Sequence, residues 1–133
     1  MNWIRRPRVF VLDDESVITE SLVRVLEMGG FEGYGRCSSS EILDLASELT
    51  PDLLIADVAL GPDNINGIDV AVYFERFFPE CKAILISGDP NTADLHRHYR
   101  RAGHNFTLLQ KPIHPRELLQ IVGDLLQHLR IAA

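Results

Sequence analysis

The stretch "VFVLDDES", residues 9–16, decides the fold and raises a question about its charges. Four apolar residues, 9–12, run directly into Asp13, Asp14 and Glu15. A short run of Val, Phe and Leu has the composition of a buried β-strand. Three acidic side chains directly behind such a strand repel one another unless a cation neutralises them. We therefore expect something positive to lie close to this strand end in the folded protein.

The composition predicts one soluble domain of ordinary size over residues 1–133, with its core at about 8–129. With 46% hydrophobic positions, a chain of this length buries roughly two thirds of its unfolded surface. The net charge of −6 argues against affinity for nucleic acid or anionic membranes. No apolar run reaches the roughly 18 residues that span a bilayer, and the N-terminal "MNWIRRPRV" lacks a signal-peptide core. The sequence thus predicts a cytoplasmic protein.

The two cysteines, Cys37 and Cys81, are isolated in the sequence and lack CxxC spacing. Neither a disulfide framework nor a zinc site is expected from such a pair. We predict that both are small buried residues in a reducing compartment.

Alternating strand and helix signals predict an α/β domain. Runs rich in Val, Ile and Leu, with one more polar run, predict strands at 9–12, 32–36, 52–56, 83–87 and 107–110. Helical periodicity predicts helices at 16–28, from the Ser38 cap to Pro51, at 67–78, at 91–102 and from Pro115 through Leu129. The middle strands are apolar throughout, which is typical of a parallel sheet covered on both faces. The pattern therefore predicts an open, doubly wound sheet with helices on both faces.

Polar side chains collect at the predicted carboxyl ends of the strands: Asp13, Asp14, Asp57, Ser87 and Lys111. In a doubly wound sheet these ends meet at one edge, where ligands bind. Carboxylate oxygens suit Mg²⁺, which takes one or two protein carboxylates and a phosphate oxygen. A remaining aspartate can attack phosphorus, while the lysine and the serine hydroxyl neutralise or hydrogen-bond the phosphoryl oxygens. The constellation predicts magnesium-assisted phosphoryl transfer to an aspartate.

In these residues the chain resembles the response regulator receiver domains of bacterial two-component signalling, from residue 8 to about 129. The motifs that carry the resemblance are "VFVLDDE", "PDLLIADV", "AILISGD" and "LLQKPI". Each motif is weak alone, but their order and placement on the predicted elements are specific. The resemblance implies a flavodoxin-like (βα)5 fold and a phosphoacceptor function.

The resemblance also implies a role for each acidic residue. Asp57 would be the phosphoacceptor. Asp14 and Asp57 would bind Mg²⁺ directly, the main-chain carbonyl of Ala59 would be a third protein ligand, and Asp13 would act largely through water.

On the phosphoryl side, the resemblance implies that Lys111 pairs with the phosphoryl oxygens and that its bond to Pro112 is cis. Ser87 would move to hydrogen-bond the phosphoryl group. The donor would be a phosphohistidine of a sensor histidine kinase or a histidine phosphotransfer protein, and the output would be a changed surface for a downstream protein effector or a phosphorylation-dependent dimer. The domain would catalyse its own phosphorylation and dephosphorylation, with no external substrate and no direct contact with nucleic acid or membrane.

The sequence departs from the family pattern at several positions. Leu108 stands where an aromatic residue is usual, and Phe106 is predicted to lie in the core. The loop 58–66 is slightly longer than the common loop and lacks its Met-Pro pair. Ala59 and Asp89 would line the approach of water to the acyl phosphate. Asp89 could either orient that water or repel it.

The segment 91–104 places a basic patch on an acidic chain: His96, Arg97, His98, Arg100 and Arg101. The three arginines share a helix face by their i+3 and i+4 spacing. This face is either solvated or a docking surface for an acidic partner or a second subunit. The first two histidines of the segment are two positions apart and do not face one way, so no metal pair is expected there.

Three other functions are open to such a chain. An aspartate-nucleophile phosphatase of the dehalogenase-like class needs a second Asp two residues after the nucleophile, where this chain has Ala59. A dinucleotide-binding enzyme would need a GxGxxG motif, whereas "DDES" follows the first strand here. An interaction domain that has kept the fold without phosphorylation gains no support from a sequence that retains all five key side chains.

Overall fold

The computed structural model describes residues 3–61 and 65–131, in which strands and helices alternate. The strands are β1 Arg8–Leu12, β2 Glu32–Arg36, β3 Leu53–Asp57, β4 Lys82–Ser87 and β5 Thr107–Gln110. The helices are α1 Ser16–Met28, α2 Ser39–Glu48, α3 Gly67–Phe77, α4 Thr92–Arg101 and α5 Pro115–Leu125, followed by a 3₁₀ turn at Gln127–Leu129. The predicted strands and the first four predicted helices are confirmed to within one or two residues.

The strands form one parallel sheet in the order β2-β1-β3-β4-β5. All of β3 is buried, as are the last four residues of β1 and the last five of β4. One core cluster lies on each face, the first around Phe10 and Phe74 and the second around Leu118 and Val122. Full burial of one such side chain stabilises the fold by about 1.5–3 kcal/mol. The predicted doubly wound class, with helices on both faces, is thereby confirmed.

Local signals in the sequence explain where the helices begin and end. α1 stops at the glycine pair, where Gly30 takes a left-handed conformation with φ +92°, and the next amide, of Phe31, donates to the Leu26 carbonyl at 3.0 Å. At the start of α2 the Ser38 hydroxyl accepts a hydrogen bond from the Glu41 amide at 3.2 Å. The Ser38 cap is as the sequence predicts, and the glycine pair ends α1 where the predicted helix ends.

The end of the last helix differs from the prediction. The α-helix ends at Leu125 and a 3₁₀ turn follows, so the prediction of one helix through Leu129 is wrong in its last turn. The tighter turn lets the Ile4 amide donate to the Leu129 carbonyl at 2.8 Å. It also places the Arg130 guanidinium 5.2 Å from the centre of the Trp3 ring. These contacts between the two ends of the domain are long-range, and helical periodicity does not record them.

The predicted burial of the cysteines is also corrected, because Cys37 and Cys81 are both half-buried free thiols. Cys37 follows the edge strand β2, whose residues are all partly exposed. Cys81 precedes β4, and burial raises the pKa of its thiol to about 12. A thiol with such a pKa is unreactive at neutral pH.

A pair of main-chain contacts closes the connection between β3 and α3. The Val58 amide donates to the Ile86 carbonyl at 2.9 Å, and the Gly67 amide donates to the Val58 carbonyl at 3.0 Å. A Cβ atom on Gly67 would overlap the carbonyl oxygen of Asp57. Glycine therefore lets α3 begin directly against the end of β3.

At the opposite end of β3, the buried Asp52 carboxylate joins the N-terminal segment to the sheet. Arg5 donates to its two oxygens, each at 2.6 Å, and the Arg8 amide donates at 2.7 Å. Hydrogen bonds between ionised groups are stronger than neutral ones, and a bidentate arginine adds directionality. This contact, absent from the sequence predictions, fixes the amino edge of the sheet.

Candidate functional site

The structure brings the three predicted aspartates together at the carboxyl edge of the sheet. β1 and β3 are neighbours with Leu12 opposite Ala56, so the residues after them are adjacent. Asp13 and Asp57 are buried, 3% and 7% exposed, while Asp14 is exposed. One carboxylate oxygen from each lies within 4.8 Å of the others. The three like charges share one small volume.

Lys111 supplies the positive charge that the first strand end requires. Its Nζ atom donates to Asp57 Oδ2 at 3.1 Å, and its main-chain amide donates to the Ser87 carbonyl at 2.8 Å, which holds the lysine at the sheet edge. Burial lowers the pKa of Lys111, but the hydrogen bond to Asp57 and the charges of Asp57 and Asp13 outweigh it, so the pKa lies above its usual value. The lysine stays charged at neutral pH. The predicted cis bond to Pro112 is present.

A single ammonium does not balance the acidic cluster. Burial raises the pKa of Asp13, the Glu15 main-chain amide lowers it through a 2.9 Å hydrogen bond, and the charges of Asp57 and Asp14 raise it again. The net effect is a pKa above the usual value, because the neutral acid suits this environment better than a further anion. The local imbalance favours a bound cation.

The chemistry of the donors indicates which kind of cation fits. All three side chains offer carboxylate oxygens, the ligand type of hard cations, and no sulfur or imidazole joins them in the cluster. Within residues 3–61 and 65–131, this is the group of three acidic, histidine or cysteine side chains that could share a metal ion. The acidic cluster can therefore bind a hard metal ion.

The loop after β3 forms one wall of the site. The Ala59 amide donates to Asp57 Oδ1 at 3.2 Å. Gly61, with φ +82°, lies close enough to Asp14 that a Cβ atom would stand 3.5 Å from its Oδ2 atom. Part of this slightly longer loop, residues 62–64, lies outside the described residues.

Ser87 lies at the end of β4 and forms a tight turn with Asp89. It is 3% exposed. The Asp89 amide donates to the Ser87 hydroxyl oxygen at 3.0 Å, and the hydroxyl donates to the Asp89 carbonyl at 3.3 Å. The Asp89 side chain in turn accepts the Asn91 amide at 2.9 Å. The serine is at the predicted edge, within a network that leads to α4.

An apolar groove borders the acidic cluster on the α1 side. Asp13 and Lys111 line it, together with apolar side chains from α1 and from the start of the β5–α5 connection: Ile18, Leu22, Pro112 and Ile113. The neighbouring Val17 of α1 is 70% exposed. Exposed apolar surface of this kind often marks an interaction site. Its position next to the cluster is a tertiary feature that the sequence pattern did not reveal.

Around α4 the structure confirms one prediction and adds two contacts. Phe106 is buried in the core as predicted, and Leu108 packs against the same cluster. His96 Nε2 lies 2.6 Å from the Phe106 carbonyl, and His104 Nδ1 lies 2.6 Å from Glu75 Oε1. The three arginines of the basic patch are exposed, and whether a partner covers them stays a prediction.

Comparisons with known proteins agree with this geometry. The model of the response regulator receiver domain family matches residues 9–123. The DNA-binding response regulator MtrA of Mycolicibacterium smegmatis is 29% identical over 114 residues, 86% of this chain and 48% of MtrA. The nitrogen assimilation regulatory protein NtrX of Azorhizobium caulinodans is 24% identical over 124 residues, 92% of this chain and 27% of NtrX. A CheY-like response regulator receiver domain protein of Methanospirillum hungatei has a TM-score of 0.82 at 24% identity, covering 94% of this chain and 97% of that one.

The chain belongs to the response regulator receiver domain family, since the family match extends over most of its length. It is thus a phosphoacceptor domain of two-component signalling. The chain spans about half the length of MtrA and about a quarter of that of NtrX. In the part of the chain that the structure describes, no helix combines the length and the apolar character needed to cross a membrane.

Proposed function

We propose that Asp57 accepts a phosphoryl group from a phosphohistidine and so switches a protein-interaction surface. The observation that carries the proposal is the pairing of Asp57 with Lys111 at 3.1 Å, beside two further carboxylates at the carboxyl edge of the sheet. The acceptor lies at the end of β3, the most deeply buried strand, so its position is fixed by the core. A fixed nucleophile needs little reorganisation to meet a docked donor.

In the proposed reaction one Asp57 carboxylate oxygen attacks phosphorus. A P–O bond forms as the P–N bond to the donor imidazole breaks, and the imidazole keeps the electron pair and takes a proton. Lys111, already charged and in contact with Asp57, would neutralise the phosphoryl oxygens. The Ser87 hydroxyl would donate to another of these oxygens after leaving its turn with Asp89. The domain's later hydrolysis of the acyl phosphate resets it without turnover of an external substrate.

The ion that we assign to the acidic cluster is Mg²⁺. Asp14, Asp57 and the main-chain carbonyl of Ala59 would hold it, and Asp13 would act largely through water. When bound, the ion supplies positive charge to the oxygens of the transferring phosphoryl group. The exposure of Asp14 supports this assignment, since Mg²⁺ usually retains several waters.

The proposed donor is a sensor histidine kinase or a histidine phosphotransfer protein. The apolar groove beside Asp13 and Lys111 supports this choice, because a donor imidazole must be carried to the acceptor by a protein surface that docks next to it. The output would be a changed contact with a downstream protein effector or a phosphorylation-dependent dimer. For this domain alone we propose no contact with nucleic acid or membrane, and a cytoplasmic location.

Intact mass spectrometry tests the acceptor. The wild type, incubated with Mg²⁺ and either acetyl phosphate or phosphoramidate, should gain one phosphoryl mass, and excess chelator should prevent the gain. Asp57→Asn should gain nothing. Asp52→Asn is the matched control, since it alters the buried aspartate at the other end of the same strand, and it should still be phosphorylated if circular dichroism shows it folded.

Two results would contradict the proposal. Phosphoryl gain by Asp57→Asn at the wild-type rate would assign the acceptor to another residue. A wild type that gains nothing from either donor, and nothing from a phosphorylated histidine phosphotransfer protein, would indicate an interaction domain that does not use phosphorylation.

A further inference from the structure

α4 is attached to the domain differently from the other helices. No α4 residue whose side chain the structure describes is buried, whereas α5 buries Leu118 and Val122. Among the described side chains of α4, Tyr99 is partly buried against the first core cluster, and His96 Nε2 lies 2.6 Å from the Phe106 carbonyl. The turn before α4 connects this helix to the end of β4 and is a further point of attachment.

That turn is held by the side chain of Asp89. Asp89 Oδ1 accepts the Asn91 amide at 2.9 Å, a local aspartate turn. Asn91 is the residue before the first turn of α4, and its own side chain makes no capping hydrogen bond. Its carbonyl accepts the Asp94 amide at 3.2 Å, so the turn continues directly into the helix.

Asp89 also holds the Ser87 hydroxyl, which would hydrogen-bond a phosphoryl group on Asp57. Ser87 exchanges two hydrogen bonds with the Asp89 main chain, at 3.0 and 3.3 Å. Reaching a phosphoryl group on Asp57 requires this hydroxyl to leave at least one of them. The main chain of Asp89 is thus bonded to Ser87, while its carboxylate is bonded to the residue before α4.

We propose that the Asp89 side chain is a positioning residue that locks the β4–α4 turn and so couples phosphoryl binding to the position of α4. The coupling rests on the function proposed above. With the side-chain bond in place, Ser87 is held in its turn and α4 is held at Asn91, the residue before its first turn. When Ser87 is drawn to the phosphoryl group, the turn opens and the hold on Asn91 weakens. This route needs no aromatic ring at position 108, where the chain has Leu108.

The proposal also separates two ways in which Asp89 can act. As a charge, the exposed carboxylate would repel an anionic phosphoryl group or act on water. As a hydrogen-bond acceptor, it stabilises the form of the turn that lacks the phosphoryl group. Asparagine keeps an acceptor oxygen in the same place but carries no charge, so the substitution Asp89→Asn distinguishes the two.

The experiment compares the wild type with Asp89→Asn, Asp89→Ala and the control Asp44→Ala, which removes an exposed charge from α2. One readout is the affinity for fluoroberyllate, a phosphoryl mimic, with saturating Mg²⁺. The other is the hydrogen exchange of the Asn91 and Asp94 amides, measured by NMR without the mimic. Neither readout involves hydrolysis of an acyl phosphate.

In Asp89→Ala both amides should exchange faster and the mimic should bind more tightly, each by roughly threefold to tenfold, which corresponds to about 0.65–1.4 kcal/mol. Asp89→Asn and Asp44→Ala should match the wild type. Equal gains in mimic affinity and in amide exchange rate for Asp89→Asn and Asp89→Ala would show that only the charge of Asp89 matters, and this would overturn the proposal. Wild-type values for Asp89→Ala in either measurement would overturn it as well. A wild type that fails to bind the mimic with Mg²⁺ would overturn the proposed function and the coupling with it, while the exchange rates would still decide whether Asp89 holds the turn.

Discussion

Two buried aspartates at the opposite ends of β3 have different hydrogen-bond partners. Asp52 precedes the strand and Asp57 ends it, and they are 8% and 7% exposed. Asp52 receives three hydrogen bonds, two from Arg5 and one from the Arg8 amide, at 2.6–2.7 Å. Asp57 has the longer contacts of Lys111 at 3.1 Å and the Ala59 amide at 3.2 Å. Burial therefore does not distinguish these two carboxylates.

The difference lies in the neighbours. The charge of Asp52 is matched by a guanidinium and an amide, so this carboxylate is fully bonded and joins the N-terminal segment to the sheet. The charge of Asp57 lies among two further carboxylates, and one ammonium cannot match them all. A buried carboxylate that is fully bonded is structural, while one left with unmatched charge is ready to bind a cation or to react.

The largest expected effect is on stability at the amino edge. Asp52→Ala should lower the free energy of unfolding by about 2–3 kcal/mol, because it leaves a guanidinium and a main-chain amide without their acceptor. Asp57→Ala should lower the free energy of unfolding far less, or even raise it. Urea unfolding of both variants measures the difference. Equal losses would remove the distinction between the two ends.

The next effect concerns the metal ion that we assign to the carboxyl edge. At a Mg²⁺ concentration tenfold above its dissociation constant, the domain should gain about 1.4 kcal/mol of stability, because only the folded state holds the site. The gain should disappear in Asp57→Asn and persist in Asp52→Asn. Thermal unfolding with Mg²⁺ and with chelator checks this, and a gain that survives in Asp57→Asn would place the ion elsewhere.

Without metal, removal of one charge from the cluster should stabilise the domain slightly. Asp57→Asn should gain roughly 0.5–1 kcal/mol, the scale of a partly exposed charge interaction, because repulsion by Asp13 and Asp14 outweighs the lost ion pair with half-exposed Lys111. The amide oxygen can still accept a hydrogen bond from the lysine. Urea unfolding in chelator measures the gain, and a loss of stability would mean that the ion pair dominates.

The smallest effect is a pH dependence from Asp13. Burial is the main cause that raises the pKa of Asp13 in the folded state. The folded domain therefore binds a proton there more tightly than the unfolded chain does. Its contribution to stability is therefore present below the unfolded pKa of about 3.9 and is lost as the pH rises through the higher folded value. In chelator, the stability of the wild type relative to Asp13→Asn should fall as the pH rises above about 4. A relative stability that rises over this range would contradict the assignment.

The comparison also shows what the sequence can predict. The strand and helix pattern follows from local periodicity, and the meeting of Asp13, Asp57 and Lys111 follows from the rule that parallel strands end at one edge. The bonding of Asp52 to Arg5 joins residues far apart in sequence, at an edge where no such rule applies. The hydrogen bond between Asp89 and Asn91 is local, yet from the sequence we predicted only that Asp89 would either orient water or repel it.

The closed connection after β3 has a practical consequence. Its two ends are joined at Val58, whose amide and carbonyl are both bonded, so the loop leaves and returns at one point of the scaffold. Doubling the length of such a loop costs only about 0.6 kcal/mol of closure entropy. Gly67, by contrast, admits no side chain against the Asp57 carbonyl. A protein engineer who wishes to attach a fluorescent reporter beside Asp57 should insert it within the loop and leave Val58 and Gly67 unaltered.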